Sequence, residues 1–263
     1  TPVVMREWPN ALRELGTLGG GNHFIELQRG ADGRLWVMLH SGSRNLGKKV
    51  ADEYNRKAVT LNEEVHVGAP KSWQLAHLPV SSELGVHYGR EMRVCVEFAK
   101  RNRELMVLRI IDVLSQDRPE VTDGGLELLD VVHNTASMEV HFGVGVVVHR
   151  KGAVCAPTGR LVAIPGSQGT RSYIVRGKGN PESFESCSHG AGRRMGRGEA
   201  RRKLSLAAEV ARMDELGIVH GIRSEQDLDE AAGAYKPIEE VIAQQSDLVE
   251  VVDELTPLAV VKA

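Results

Sequence analysis

The chain has 263 residues, of which 41% are apolar, 26% charged and 4% aromatic, with a formal net charge of -2. That composition excludes intrinsic disorder, collagen and coiled coil, and no apolar run approaches the ~18 residues of a membrane-spanning helix, so a soluble globular chain is expected. Cys95, Cys155 and Cys187 are too few and too scattered for a disulfide framework, and TPVVMREWPN has no apolar leader core, which together favour a reducing, cytoplasmic setting.

In chain order, the Gly-rich loop GTLGGGN (Gly16 to Asn22) runs into FIEL, turns at ADGR and returns as LWVMLH, the pattern of a β-hairpin. A helix is expected from Asn45 to about Thr60, and a longer one, capped by Ser81 or Ser82, from Glu83 to about Leu114. Further on, LELLDVVH, HFGVGVVVH, GRLVAIPG and RSYIVRG read as short strands between Gly-rich turns. A helix returns from Glu199 to Glu215 with Gly217 as its cap, Pro237 opens a short helix to Gln244, and LVEVVDELTPLAVVKA alternates like a strand. The sum is an α+β chain with no internal repeat and no linker, read as one domain over residues 1–263.

Charge is unevenly placed. Between His149 and Lys203 there are 12 Lys or Arg against 3 Asp or Glu, a local +9 that leaves -11 for the rest. A basic segment on an acidic body is expected where one face meets phosphate, although a solvated basic loop gives the same count.

Three histidines share one pattern: VMLH before SGSR, LDVVH before NTAS and GVVVH before RKGA, each read as the last residue of a strand that opens into a small, polar loop. His23 instead begins a strand. Imidazole at a rigid strand end suits a transition metal, but the spacing matches neither a zinc finger nor a helix-borne pair, and a hydrogen-bonded edge histidine explains any one of them. The segment SFESCSHGAGRRMGR is more specific. His189 lies beside a Gly-Ala-Gly turn read as entering a basic helix, where backbone N–H groups and arginines suit an anion and a neutral imidazole suits attack on phosphorus. PGSQGTRS is a second small, polar loop fit for phosphate or ribose, and neither loop is a P-loop.

The blocks GTLGGGNHFIEL, MLHSGSRNLG, VHNTASME, HRKGA, PGSQGTRSY, SCSHGAGRRMGR, YKPIEEVI and LTPLAVVKA occur in one order across nearly the whole chain, and in that order the sequence resembles the RtcB RNA-splicing ligases. The resemblance implies a family-specific α+β fold with a deep cleft for two metal ions. It implies a GTP- and Mn2+-dependent ligase that joins an RNA 3'-phosphate or 2',3'-cyclic phosphate to a 5'-hydroxyl. His189 would be the catalytic nucleophile, taking GMP as a phosphoramidate. His23, His40 and His133 would be the metal ligands. Asn22, His23, Phe24, Ile25, Glu26, His133, Asn134, Pro165, Gly166, Ser167, Gln168, Ser172, His189, Gly190, Ala191 and Gly192 would contact the nucleotide, with Tyr235 against the guanine and Lys262 reading it. Arg44, Arg193 and Arg197 fall at positions suited to RNA phosphates, and His149 is not expected to be a ligand.

Two departures stand out. The family takes an Asp and a bridging Cys from a segment N-terminal to GTLGGGNHF that this sequence does not contain, and the usual final Gly is Ala263. Two alternatives therefore stay open: a shortened relative that binds guanine nucleotide or RNA without ligation, and a metal-dependent phosphohydrolase.

Overall fold

The structure is a computed structural model that describes residues 2–65, 70–118 and 125–262, without the side chains of Lys71 and Asp117. Its contacts divide the chain into two compact units, residues 1–17 with 41–110 and residues 18–40 with 111–263.

The first unit is helical. Helix α1 (Val3–Glu14), which the sequence reading passed over, buries Val3, Val4 and Ala11 despite Pro9 within it. It has no side-chain N-cap of its own. Instead the Glu91 carboxylate accepts the Val4 N–H at 2.6 Å and the Tyr54 hydroxyl at 2.6 Å, satisfying a first-turn donor that would otherwise be orphaned. Helix α2 (Leu46–Glu64) turns Leu46, Val50, Tyr54 and Ala58 inward at i, i+4 spacing. Helix α3 (Glu83–Asp117) starts at Ser82, whose hydroxyl accepts the Gly85 N–H at 3.0 Å. Leu46, Val50, Cys95 and Phe98 meet the α1 residues in one apolar core, each large side chain contributing about 1.5–3 kcal/mol by burial.

Asn102 of α3 is fully buried in this unit. Its amide accepts from the N–H groups of Gly16 (2.6 Å) and Thr17 (3.1 Å) and donates to Thr17 O, Ser41 Oγ and Gly42 O. The two chain segments that flank the first β-hairpin are thereby tied to one side chain.

The second unit is built on an antiparallel sheet. Strands β1 (Phe24–Arg29) and β2 (Leu35–His40) form the expected hairpin, with Phe24 opposite His40. Strands β3 (Asn134–His141) and β4 (Val144–Lys151) pair as a separate ribbon. Strand β5 (Ala153–Cys155) pairs with β8 (Ser186–Ser188), and β6 (Leu161–Ile164), β7 (Ser172–Gly177) and β9 (Val249–Val261) complete the main sheet in the order β2-β1-β9-β7-β6. The last strand is therefore central. It accommodates Pro257 at a register shift against Leu27 and Gln28, where a ladder hydrogen bond is already interrupted. Val162, Ile164, Val175, Val154 and Ile238 form the core beneath it.

Because β2 and β9 both run antiparallel to β1, the start of β1, the end of β2 and the end of β9 lie together. His23 and Phe24, His40, and Lys262 just beyond Val261 are thus collected at one end of the sheet.

Four expectations are corrected. LELLDVVH is not a strand: Leu126 and Leu128 are exposed, and the polar run NTASMEVH that follows forms β3 because β4 supplies its ladder partners. His133 therefore precedes a strand instead of ending one, and His149 lies two residues inside the end of β4. The helix expected from Glu199 to Glu215 is two helices, α4 (Arg197–Lys203) and α5 (Leu206–Glu215), broken where the Ser205 hydroxyl accepts the Ala208 N–H. The turn at Gly190 to Gly192 does not lead straight into a helix, since α4 begins only at Arg197. Gly217, with φ +67°, closes α5 as expected, and Pro237 precedes α6 (Ile238–Ala243).

Candidate functional site

The second unit brings four histidines into one run. The ring centroids of His23 and His40 are 5.6 Å apart, those of His40 and His133 5.1 Å, and those of His133 and His189 4.9 Å. His40 Nε2 and His133 Nε2 are 3.1 Å apart, a separation at which one must donate and the other accept. His23 Nδ1–H donates to the Leu18 carbonyl at 2.7 Å, which leaves its Nε2 as the ring's lone-pair nitrogen. Burial, reinforced by the neighbouring imidazoles of His133, His23 and His189 and by Lys262, pushes His40 down to about 3. His40 is therefore neutral at physiological pH, the state a metal ligand requires. His189 is also held below the ordinary histidine range, chiefly by burial. Gly152, at φ +73°, lies beside it: a Cβ there would stand 3.5 Å from His189 Cε1.

The donor chemistry of His23, His40 and His133 fits a borderline divalent transition metal. Among the described residues, however, no group of three or more His, Cys, Asp or Glu is arranged to hold a metal ion, so these imidazoles are adjacent without closing a coordination shell.

Strand β1 inverts the usual alternation: its polar Glu26 and Gln28 are buried while Ile25 and Leu27 are only partly so. Gln28 Nε2 donates to Glu26 Oε2 at 2.7 Å and to Ser172 Oγ at 2.9 Å, and Ser172 Oγ in turn accepts the Gly166 N–H at 3.2 Å. Burial pushes Glu26 up to about 8, against the opposing effects of Gln28 and Lys262. Glu26 Oε1 is buried without a hydrogen-bond partner, an acceptor suited to an N–H donor of a ligand.

The two small, polar loops are joined. The Ala191 N–H donates to the Pro165 carbonyl at 3.0 Å, and Thr170 Oγ1 accepts the Ser167 N–H at 2.6 Å. Gly166 is required there, because a Cβ would meet Arg171 O at 2.2 Å. Gln168 is buried and spends its amide on the Glu230 carbonyl at 2.9 Å.

Beyond His189, charge gathers on Glu230. Its carboxylate accepts Arg197 Nε–H at 2.8 Å, lies 3.1 Å from Arg193 Nη1, accepts a hydrogen bond from the Tyr235 hydroxyl and stands 3.9 Å from Lys262 Nζ. The Arg193 guanidinium lies 5.0 Å from the Tyr235 ring centroid. Burial lowers the Lys262 ammonium and raises the Tyr235 phenol, the latter also through Glu230.

The other sequence candidates fall as follows. Phe24 meets the His40 ring edge-on at 5.6 Å, and Asn134 opens β3 opposite Lys151. Asn22 is exposed, Gly190 is buried and Gly192 has φ +71°. Arg44 belongs to the first unit, where it bonds Glu14 at 3.0 Å and Thr17 Oγ1 at 3.0 Å. His149 is exposed, and Ala263 lies outside the described residues. The +9 segment is partly offset by four acids from elsewhere: Glu139 pairs with Arg150, Glu254 with Arg171, Asp229 with Arg201, and Glu230 with both Arg193 and Arg197. Gln28 and Glu230 were missed in the sequence. Gln28 had a legible signal, a polar residue two positions from Glu26 on the same face of a strand, whereas nothing local marks Glu230.

Set against known proteins, residues 2–263 match the profile of the tRNA-splicing ligase RtcB. The chain belongs to the RtcB family. It is 38% identical over 259 residues to the RNA-splicing ligase RtcB of Escherichia coli K12, covering 96% of this chain and 62% of that protein. It is 35% identical over 293 residues to the RNA-splicing ligase RtcB of Mycobacterium tuberculosis H37Rv, covering 98% and 66%. To the tRNA-splicing ligase RtcB of Thermococcus kodakarensis it is 32% identical over 287 residues, covering 95% and 59%. The chain thus spans about three fifths of the length of the RtcB relatives it matches. Among the described residues, no helix is long and apolar enough to cross a membrane.

Proposed function

We propose that this RtcB family chain serves a GTP-dependent RNA ligase, joining an RNA 3'-phosphate or 2',3'-cyclic phosphate to a 5'-hydroxyl in tRNA splicing or RNA repair. The observation that supports this best is the run of imidazoles from His23 to His189. It ends in a histidine kept neutral, with the Pro165 and Gly190 loops joined beside it.

A neutral His189 nitrogen attacks the α-phosphorus of GTP; the N–P bond forms as the bond to pyrophosphate breaks. A 2',3'-cyclic phosphate is first opened by water to the 3'-phosphate; GMP then passes from His189 to that 3'-phosphate, and the 5'-hydroxyl attacks the RNA phosphorus, expelling GMP as the leaving group and closing the phosphodiester. Glu26 accepts from the nucleotide, and Tyr235 and Lys262 hold and read the guanine. Backbone of the Pro165–Gln168 and His189–Gly192 segments cradles phosphate or ribose, and Arg197 meets RNA phosphate. His23, His40 and His133 would hold Mn2+, which supplies charge neutralisation and polarisation at the α-phosphate.

The chain incubated with α-labelled GTP and Mn2+ should carry label on His189 by peptide mapping. His189→Ala should carry none, while His189→Asn should bind nucleotide yet remain unlabelled. Label on another residue, or label retained in His189→Ala, overturns the assignment. A second reading is binding of guanine nucleotide or RNA without ligation. It gives saturable binding with no adduct. A phosphohydrolase instead releases labelled product, also with no adduct.

A further inference from the structure

The Glu230 carboxylate is 4% exposed, so it is carried by its partners, since an unpaired buried carboxylate is unstable. The division of labour among those partners is informative. Oε1 takes the two arginines, and Oε2 takes the Tyr235 hydroxyl and faces Lys262. At 3.9 Å the Lys262 ammonium is tethered electrostatically but makes no direct hydrogen bond to the carboxylate. Its N–H donors are thus not spent on Glu230. A guanine edge offers two acceptors, O6 and N7, to such a donor, whereas adenine replaces O6 by an amino donor that an ammonium repels. The hydroxyl bond fixes the Tyr235 ring, whose position Arg193 also constrains.

We propose that Glu230 is a positioning residue for base selection: its one buried carboxylate holds Tyr235 and Lys262 in the arrangement that favours guanine over adenine. This rests on the reading that a guanine nucleotide binds beside Lys262. Glu230 touches no nucleotide in this scheme, and it acts through the side chains it orients.

The test is equilibrium dialysis of the full chain, with Mn2+, against GTP and against ATP, alongside thermal melting, for wild type, Glu230→Gln and Glu230→Asp. Glu230→Gln keeps volume and an acceptor but loses the charge. Its GTP affinity should fall by about tenfold, the equivalent of ~1.4 kcal/mol, with ATP affinity unchanged, so that the preference for GTP collapses. Glu230→Asp keeps the charge with a shorter reach and should lose part of the preference; it carries the test if Glu230→Gln does not fold. Wild-type preference retained in the variants overturns the proposal and leaves the guanine reading standing. Parallel loss of affinity for both nucleotides together with the melting temperature also overturns it, because that is a structural role. A wild type with no preference for GTP overturns the guanine reading, and this proposal with it.

Discussion

Arg193 and Arg197 occupy equivalent-looking places in GRRMGR, yet the structure separates them. Arg193 is 24% exposed and its guanidinium is spent on the protein: Nε on Met195 O at 3.1 Å, Nη1 on Tyr235 Oη at 3.3 Å and on Glu230, and Nη2 on Asp229 O. Arg197 is 52% exposed, donates only Nε, to Glu230, and its Nη2 lies 3.5 Å from where a side chain on Gly21 would begin. Replacing Arg193 by Ala strips acceptors that are partly shielded from water and removes one cation from Glu230, a loss of about 2–4 kcal/mol after partial replacement by solvent. For a domain of this size that is a fall of roughly 5–12 °C in melting temperature. Arg197→Ala should cost at most about 1 kcal/mol, since its ion pair is half in solvent.

RNA binding should reverse the order. A lost phosphate contact on a single strand lowers the log-log salt slope by about 0.7, so a fourfold rise in salt should penalise Arg197→Ala about 2.6-fold less than wild type. Arg193→Ala, assayed well below its melting temperature, should keep the wild-type slope. Fluorescence anisotropy of a single-stranded RNA bearing a 3'-phosphate, titrated across salt, reads both. Arg202 is exposed on α4 and is the control; Arg201 is unsuitable because it bonds Asp229 at 2.7 Å. Equal slopes for Arg193→Ala and Arg197→Ala, or an Arg197→Ala indistinguishable from Arg202→Ala, would refute this division.

Asn102→Ala should destabilise the helical unit by about 3–5 kcal/mol, because Gly16, Thr17, Ser41 and Gly42 lose buried partners together; a urea midpoint implying less than ~1 kcal/mol would show that water replaces the amide. Acid should weaken the β3–β4 ribbon. The Arg150 guanidinium, aided by His141 and Ser137, holds the Glu139 carboxyl down at about 2 against the cost of burial. A depressed folded-state value means stability that is present above the ordinary carboxylate pKa and is lost as pH falls from about 5 to 2. That stability is worth about 1–2 kcal/mol once screening of the partly exposed carboxylate is allowed for. Glu139→Gln should flatten stability against pH in that window, and an unchanged acid limb would count against it.

Local pattern alone specified much of this protein. Short apolar runs and turn chemistry located the β1–β2 hairpin, alternation located the closing strand, and helical spacing located α2 and α3; which face β1 buries was not legible, since Glu26 and Gln28 turn inward. The order of the Gly- and His-bearing blocks likewise carried the family. Pairing was only partly legible. NTASMEVH forms a strand because β4 folds back on it across Phe142 and Gly143, whereas LELLDVVH makes no ladder, and β9 takes its central place only by pairing with β1 and β7, which are far from it in the chain. Helix α1 depends on Glu91, 87 positions from Val4, to satisfy its first turn. Charge was the least legible property: the +9 segment reads as a uniformly basic face in one dimension, but acids that offset part of it enter from β3, β9 and the turn ending at Glu230. Only tertiary structure decides which arginines keep a free fork, because an ion pair depends on distance in space and composition counts charge only along the chain.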